Sequence, residues 1–88
     1  MTVNLYKLEK KRRSRLDYDC AVEFVVAAGS EDAARQAIVD AGKVIGEDGY
    51  GAEGPETWLS ELDSSCTFIG FGAHDLVPGI LCREVVAG

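Results

Sequence analysis

Along the chain, the stretch from Tyr18 to Ala28 is the one rich in β-branched and aromatic residues, and it leads through Gly29 to a helix start at Ser30. In an extended strand successive side chains face opposite ways, so Tyr18, Cys20, Val22, Phe24 and Val26 share one side and Ala21, Glu23, Val25 and Ala27 the other. The first set is uniformly core-like, whereas Glu23 marks the second side as partly wet. This pattern predicts a strand at the middle of a small sheet. Before it, Val3 to Glu9 alternates Val3, Leu5 and Lys7 against Asn4, Tyr6 and Leu8, which predicts a first strand with one buried face. The run Lys10-Lys11-Arg12-Arg13-Ser14-Arg15 cannot bury itself and reads as a hairpin loop between the two strands.

At Ser30 the period changes from strand to helix. Ser30 is a suitable N-cap, and Glu31 and Asp32 place negative charge in the first turn, where the helix dipole favours it. Ala33, Ala34, Ala37, Ile38 and Ala41 then recur at helical spacing, and Gly42 suits the stop. A stripe of alanines lets such a helix approach a sheet closely. Residues 46–55 hold four glycines, Glu47, Asp48, Glu53 and Pro55, and predict a loop that Trp58 and Leu59 pin back through a short helical turn. Ser65 to Phe71 and Gly79 to Val86 read as a third and a fourth strand, separated by a turn at Gly72 to Pro78. The sum is an α+β domain spanning residues 1–88, a small, mainly antiparallel β-β-α-β-β sheet with one helix packed on one face.

Charge changes this picture more than composition does. The formal net charge of -6 divides sharply along the chain. Residues 1–15 carry six cations against Glu9 alone, net +5, and the remainder carries three cations against fourteen acids, net -11. One basic patch on an acidic body follows. Such a body repels a long nucleic acid, while the patch suits phosphates. A domain of 88 residues has a thin core, so assembly into a homo-oligomer is a natural way to bury more surface. No apolar run approaches the roughly 20 residues that span a bilayer. Met1 to Lys7 lacks the apolar stretch of a signal peptide, so the expected compartment is the cytoplasm. Cys20, Cys66 and Cys82 form no Cys-x-x-Cys pair and are expected to be reduced thiols in the core.

Catalytic and cofactor chemistry find little footing. His74-Asp75 is a histidine-carboxylate pair, but a metal site needs further ligands and the chain has no second histidine, so a solvated turn is expected. No Cys or Ser stands in a motif with a partner base. Gly46-Glu47-Asp48-Gly49 places two acids where a phosphate loop would hold phosphate. The reading is therefore a binding protein without an enzymatic activity, metal or cofactor. The candidate ligand-binding residues are Arg12, Arg13 and Arg15, whose planar forks fit phosphate oxygens, and Tyr18, on which a base can stack. Asp17 and Asp19 can accept bonds from ribose hydroxyls or pair with those arginines. Trp58 is either a core anchor or a second stacking platform. The bland alternative for the basic run is a charged loop that keeps a hairpin edge from pairing.

Several short motifs carry a resemblance: Asp17-Tyr18-Asp19 turning into Ala21-Val22, Glu31-Asp32-Ala33-Ala34-Arg35 opening the helix, Trp58, Ile69-Gly70, Gly79-Ile80 and the final Ala87-Gly88. In these the chain resembles a group of small phage and prophage proteins. It departs from them in the Lys-Lys-Arg-Arg-Ser-Arg run and in the glycine-rich loop. The resemblance implies a protein of a mobile element that counters host defence in the host cytoplasm. Two mechanisms are expected from it. In one, an oligomer sequesters a nucleotide second messenger, of the cyclic ADP-ribose or cyclic dinucleotide type. In the other, the acidic body docks on a host defence protein complex and blocks its nucleic-acid channel, as acidic anti-CRISPR proteins do. A third is an accessory phage protein with no ligand.

Overall fold

The computed structural model of the protein describes residues 3–11, 21–41 and 56–85. Their elements are β1 (Asn4–Lys10), β2 (Ala21–Ala28), α1 (Glu31–Ala41), the single turn α2 (Glu56–Leu59), β3 (Ser64–Phe71) and β4 (Gly79–Val85). The strands form one sheet in the order β3-β1-β2-β4, and every neighbouring pair is antiparallel. This is the α+β sheet with one main helix that the hydrophobic periods predict. β1, β3 and β4 lie within a residue of the expected limits, and β2 ends at Ala28 as expected and is described from Ala21; the expected start at Tyr18 lies outside the described residues.

Pairing explains which side of each strand is buried. Tyr6 lies opposite Val26 and Leu8 opposite Phe24, so the four share the helix-bearing side of the sheet. On that side Leu8, Phe24 and Val26 are fully enclosed, together with Ala34 and Ile38 of α1 and Trp58 of α2. Each large apolar side chain so enclosed contributes about 1.5–3 kcal/mol. The Trp58 ring meets Phe24 edge-on, with centroids 4.9 Å apart and planes at 87°. Edge-to-face pairing adds about 0.5–1.5 kcal/mol to the burial itself.

Ser30 caps α1: the Ala33 amide donates to Ser30 Oγ at 3.1 Å and the Ala34 amide to the Ser30 carbonyl at 3.0 Å. The buried stripe of α1 differs from the expected one in two places. Ala33 is exposed, and Arg35 is buried beside Ala34 and Ile38. Leu59 does not pin the chain to the body, since it is about half exposed where Trp58 is enclosed. Gly42 and the glycine-rich loop lie outside the described residues.

β3 and β4 are the two edges, joined by residues 72–78 across the end of the central pair. That crossing is tight. The Gly72 amide donates to the Val3 carbonyl at 2.7 Å, and a Cβ at Gly72 would lie 2.7 Å from Val3 Cγ2 and 3.0 Å from Leu76 Cδ2. Only glycine passes there without displacing its neighbours.

Candidate functional site

Six of the seven residues singled out for ligand binding, Arg12, Arg13, Arg15, Asp17, Tyr18 and Asp19, lie outside the described residues. In the sequence they fall between Lys11 and Ala21. Two lysines of the basic run are described, and both turn toward the body. Lys10 is buried where β1 pairs with Ser64, and Lys11 Nζ donates to the Glu61 carbonyl. Trp58, the seventh residue, is a core residue with no exposed ring face, and the stacking role is corrected accordingly. Its burial follows from Phe24, which offers a ring edge under the helical turn that carries Trp58.

The principal polar constellation among the described residues was not anticipated from the sequence. Arg35, only 4% exposed, reaches from α1 into the junction of α2 and β3. Its Nη1 donates to the Trp58 carbonyl at 2.9 Å, to Ser64 Oγ at 2.7 Å and, at 3.4 Å, to the Ser60 carbonyl. Its Nη2 donates to the Ser64 carbonyl at 3.1 Å, and its Nε lies 3.5 Å from Glu31 Oε2. Ser64 Oγ in turn donates to the Thr57 carbonyl at 2.7 Å. A guanidinium needs many acceptors when it leaves water, and here backbone carbonyls supply them. The arrangement is a clamp that holds helix, turn and strand together. One signal for it stood in the sequence. Arg35 falls one residue after Ala34 and three before Ile38, on the side of the helix that packs.

With Arg35 spent inward, the layer made of α1, α2 and the following turn presents acids. Asp32, Asp40, Glu56, Glu61 and Asp63 are exposed, and Glu31 is partly so. On the opposite side of the sheet the charges are paired. Lys7 Nζ lies 3.2 Å from Glu9 Oε1 and 3.4 Å from Glu23 Oε1. Hydrogen bonding to Glu9, then to Glu23, raises the lysine's pKa.

The cysteines divide. Cys82 is exposed on β4, which corrects the expectation of a core thiol, because β4 is an edge strand. Cys66 is half-buried, and burial, reinforced by the charge of Glu31, pushes its thiol up to about 11. At neutral pH it is protonated and a poor nucleophile. Cys20 lies outside the described residues. His74 and Asp75 are exposed in the turn between β3 and β4, and no group of three metal-ligating side chains occurs among the described residues. A shallow depression of about 100 Å³ lies over Glu23, Phe24, Val25, Cys82 and Arg83. Small-molecule pockets run to about 300–1,000 Å³, so it is too small to enclose a nucleotide. No helix among the described residues is long and apolar enough to cross a membrane.

The remaining surface feature is β3. Along Ser64–Phe71 there is no charged side chain, and Phe68, Ile69 and Phe71 are 50%, 49% and 74% exposed. Tyr6, Phe68 and Phe71 form a chain of edge-to-face contacts, with centroid distances of 6.1 and 5.3 Å. No protein-family model matches the chain, and neither a curated protein nor a solved structure does.

Proposed function

We propose that the protein is a phage-type anti-defence protein that acts by docking, its acidic helical layer meeting a basic nucleic-acid channel on a host defence protein complex. The observation that carries this reading is the inward commitment of Arg35. It removes the one described cation of α1 and α2 from the surface and leaves Asp32, Asp40 and Glu56 exposed on them, with Glu61 and Asp63 exposed on the following turn. A negative surface speeds encounter with a positive channel and competes with the nucleic acid that the channel serves. The test is charge reversal at Glu56, Glu61 and Asp63 to lysine, assayed as phage plating on a host that carries a nucleic-acid-targeting defence. The reversed protein is expected to lose protection, and protection is expected to weaken in a competition assay as salt rises. Undiminished protection by the reversed protein would reject the reading.

The segregation of charge favours a second reading. The net +5 of residues 1–15 suits a nucleotide second messenger held by Arg12, Arg13 and Arg15, with Tyr18 stacking on the base and Asp17 and Asp19 on the ribose. Trp58 takes no part in it. A thermal-shift screen against cyclic dinucleotides and cyclic ADP-ribose isomers separates the two mechanisms. A ligand at a hundred times its dissociation constant stabilises the fold by about 2.7 kcal/mol, which is several degrees for a domain of this size. A flat screen on folded protein rejects sequestration. A shift abolished by alanine at the three arginines supports it.

A further inference from the structure

We infer that β3 is the contact by which two copies of this chain pair, edge to edge and antiparallel, into one continuous eight-stranded sheet. In the described sheet β3 pairs with β1 on one side only. At Ser64 the amide donates to the Ser60 carbonyl and the carbonyl accepts from Arg35, and from Ser65 onward the outer side meets no partner strand among the described residues. From Ser65 to Phe68 its register with β1 runs without interruption, opposite Glu9 to Tyr6. That stretch is about 13 Å long, a short strand edge. Beyond it Ile69 is the extra residue of a bulge, and Gly70, with a φ of +153°, takes a conformation that disfavours side chains. The bulge turns the strand and sets Ile69 and Phe71 beside the flat stretch as exposed apolar groups.

Charge argues that the occupant is a second copy. The chain carries a net charge of -6, so two copies repel over most of their surface. β3 offers an approach with no charged side chain over eight residues. An antiparallel strand edge is also complementary to itself about a two-fold axis, as a symmetric dimer requires. The other edge is built differently. β4 carries Arg83 and Glu84, and its register with β2 shifts twice, the irregularity with which natural sheets blunt an edge. At their stated exposures, Phe68, Ile69 and Phe71 together leave about 350 Å² open per copy, or about 700 Å² for two. That lies below the roughly 1,200 Å² at which stable interfaces begin, so the pairing is a weak, reversible one, sought at chain concentrations of about 10–100 µM.

Sedimentation equilibrium of the full chain across that range tests the inference. The expected result is a reversible monomer–dimer equilibrium. Thr67→Lys, at an exposed position of the flat stretch, places like charges across the two-fold axis and is expected to raise the dissociation constant about tenfold or more. Because Thr67 lies opposite Lys7 on β1, Thr67→Lys is also expected to lower the melting temperature of the monomer slightly. Thr67→Glu, which faces Lys7 with the opposite charge, is expected to weaken the dimer equally while circular dichroism and melting temperature match the wild type at monomeric concentrations. Leu81→Lys on β4 serves as the matched edge control and is expected to leave dimerisation unchanged. A wild-type protein that stays monomeric up to about 1 mM would overturn the inference. So would a dimer that survives Thr67→Lys, or one that is lost with Leu81→Lys.

Discussion

The two ends of β3 are made of the same strand and used in opposite ways. At Ser64 the hydroxyl and carbonyl are buried and bonded by Arg35, and the hydroxyl also reaches the Thr57 carbonyl. Seven residues on, Phe71 is 74% exposed and touches Phe68, itself half exposed. The first end is closed: its polar groups find their partners inside the chain. The second is open, with an aromatic surface that water covers in the monomer. Burying Arg35 among carbonyls fixes where α1, α2 and β3 meet, while the open end adds little to the stability of a single copy. Stability and association are thus placed at opposite ends of one strand.

The strongest way to break this comparison is at the closed end. Arg35→Met keeps volume and removes the donors, leaving the carbonyls of Trp58 and Ser64 without this partner. Unsatisfied buried acceptors cost about 1–3 kcal/mol each, so a loss of about 3 kcal/mol is expected. It would be read as a fall in the urea midpoint with an unchanged slope. Thr57→Val sharpens the picture in the other direction. Thr57 is 2% exposed, and its Oγ1 has no hydrogen-bond partner among the described residues. Replacing that hydroxyl with a methyl group is expected to be neutral or to add up to about 1 kcal/mol. At the open end, Phe71→Ser is expected to change the stability of the dilute protein by about 0.5 kcal/mol or less. A loss there as large as that of Arg35→Met would erase the distinction between the two ends.

The smallest effect concerns Cys66, which lies between them. Burial pushes its thiol up to about 11 from an ordinary value of 9.0, so the folded state holds the proton more tightly. The stability this contributes is fully present below pH 9 and declines as pH rises toward 11. A Cys66→Ala protein is expected to lose less stability than the wild type over that window. At pH 8, alkylation by iodoacetamide is expected to reach exposed Cys82 before Cys66.

Local chemistry made much of this fold readable before any coordinates. Ser30 caps its helix through its own hydroxyl, and the alternation of Val22, Phe24 and Val26 follows from strand geometry alone. What escaped the sequence depends on distant partners. Phe24 decides that Trp58 is core, because its ring forms the wall that Trp58 meets. The place of Arg35 beside Ala34 hints that it turns inward, but its partner Ser64, twenty-nine residues on, is set only by the fold. The position of β3 and β4 at the edges follows from which strands pair, and it explains why Cys82 and Phe71 are exposed although their segments read as core strands. The arginines of the basic run illustrate the same limit: their spacing suggests phosphate chemistry, and only distant partners could assemble a site around them.

Hydrogen exchange of the backbone amides, measured at low and high protein concentration, tests the division of β3 most directly. The account predicts that amides near Ser64 are protected equally at both concentrations, that the alternate amides between Ser65 and Phe68 that face away from β1 gain protection as concentration rises, and that β4 does not change. Protection on β4 that grows with concentration, or an edge on β3 that exchanges equally fast at both, would contradict it.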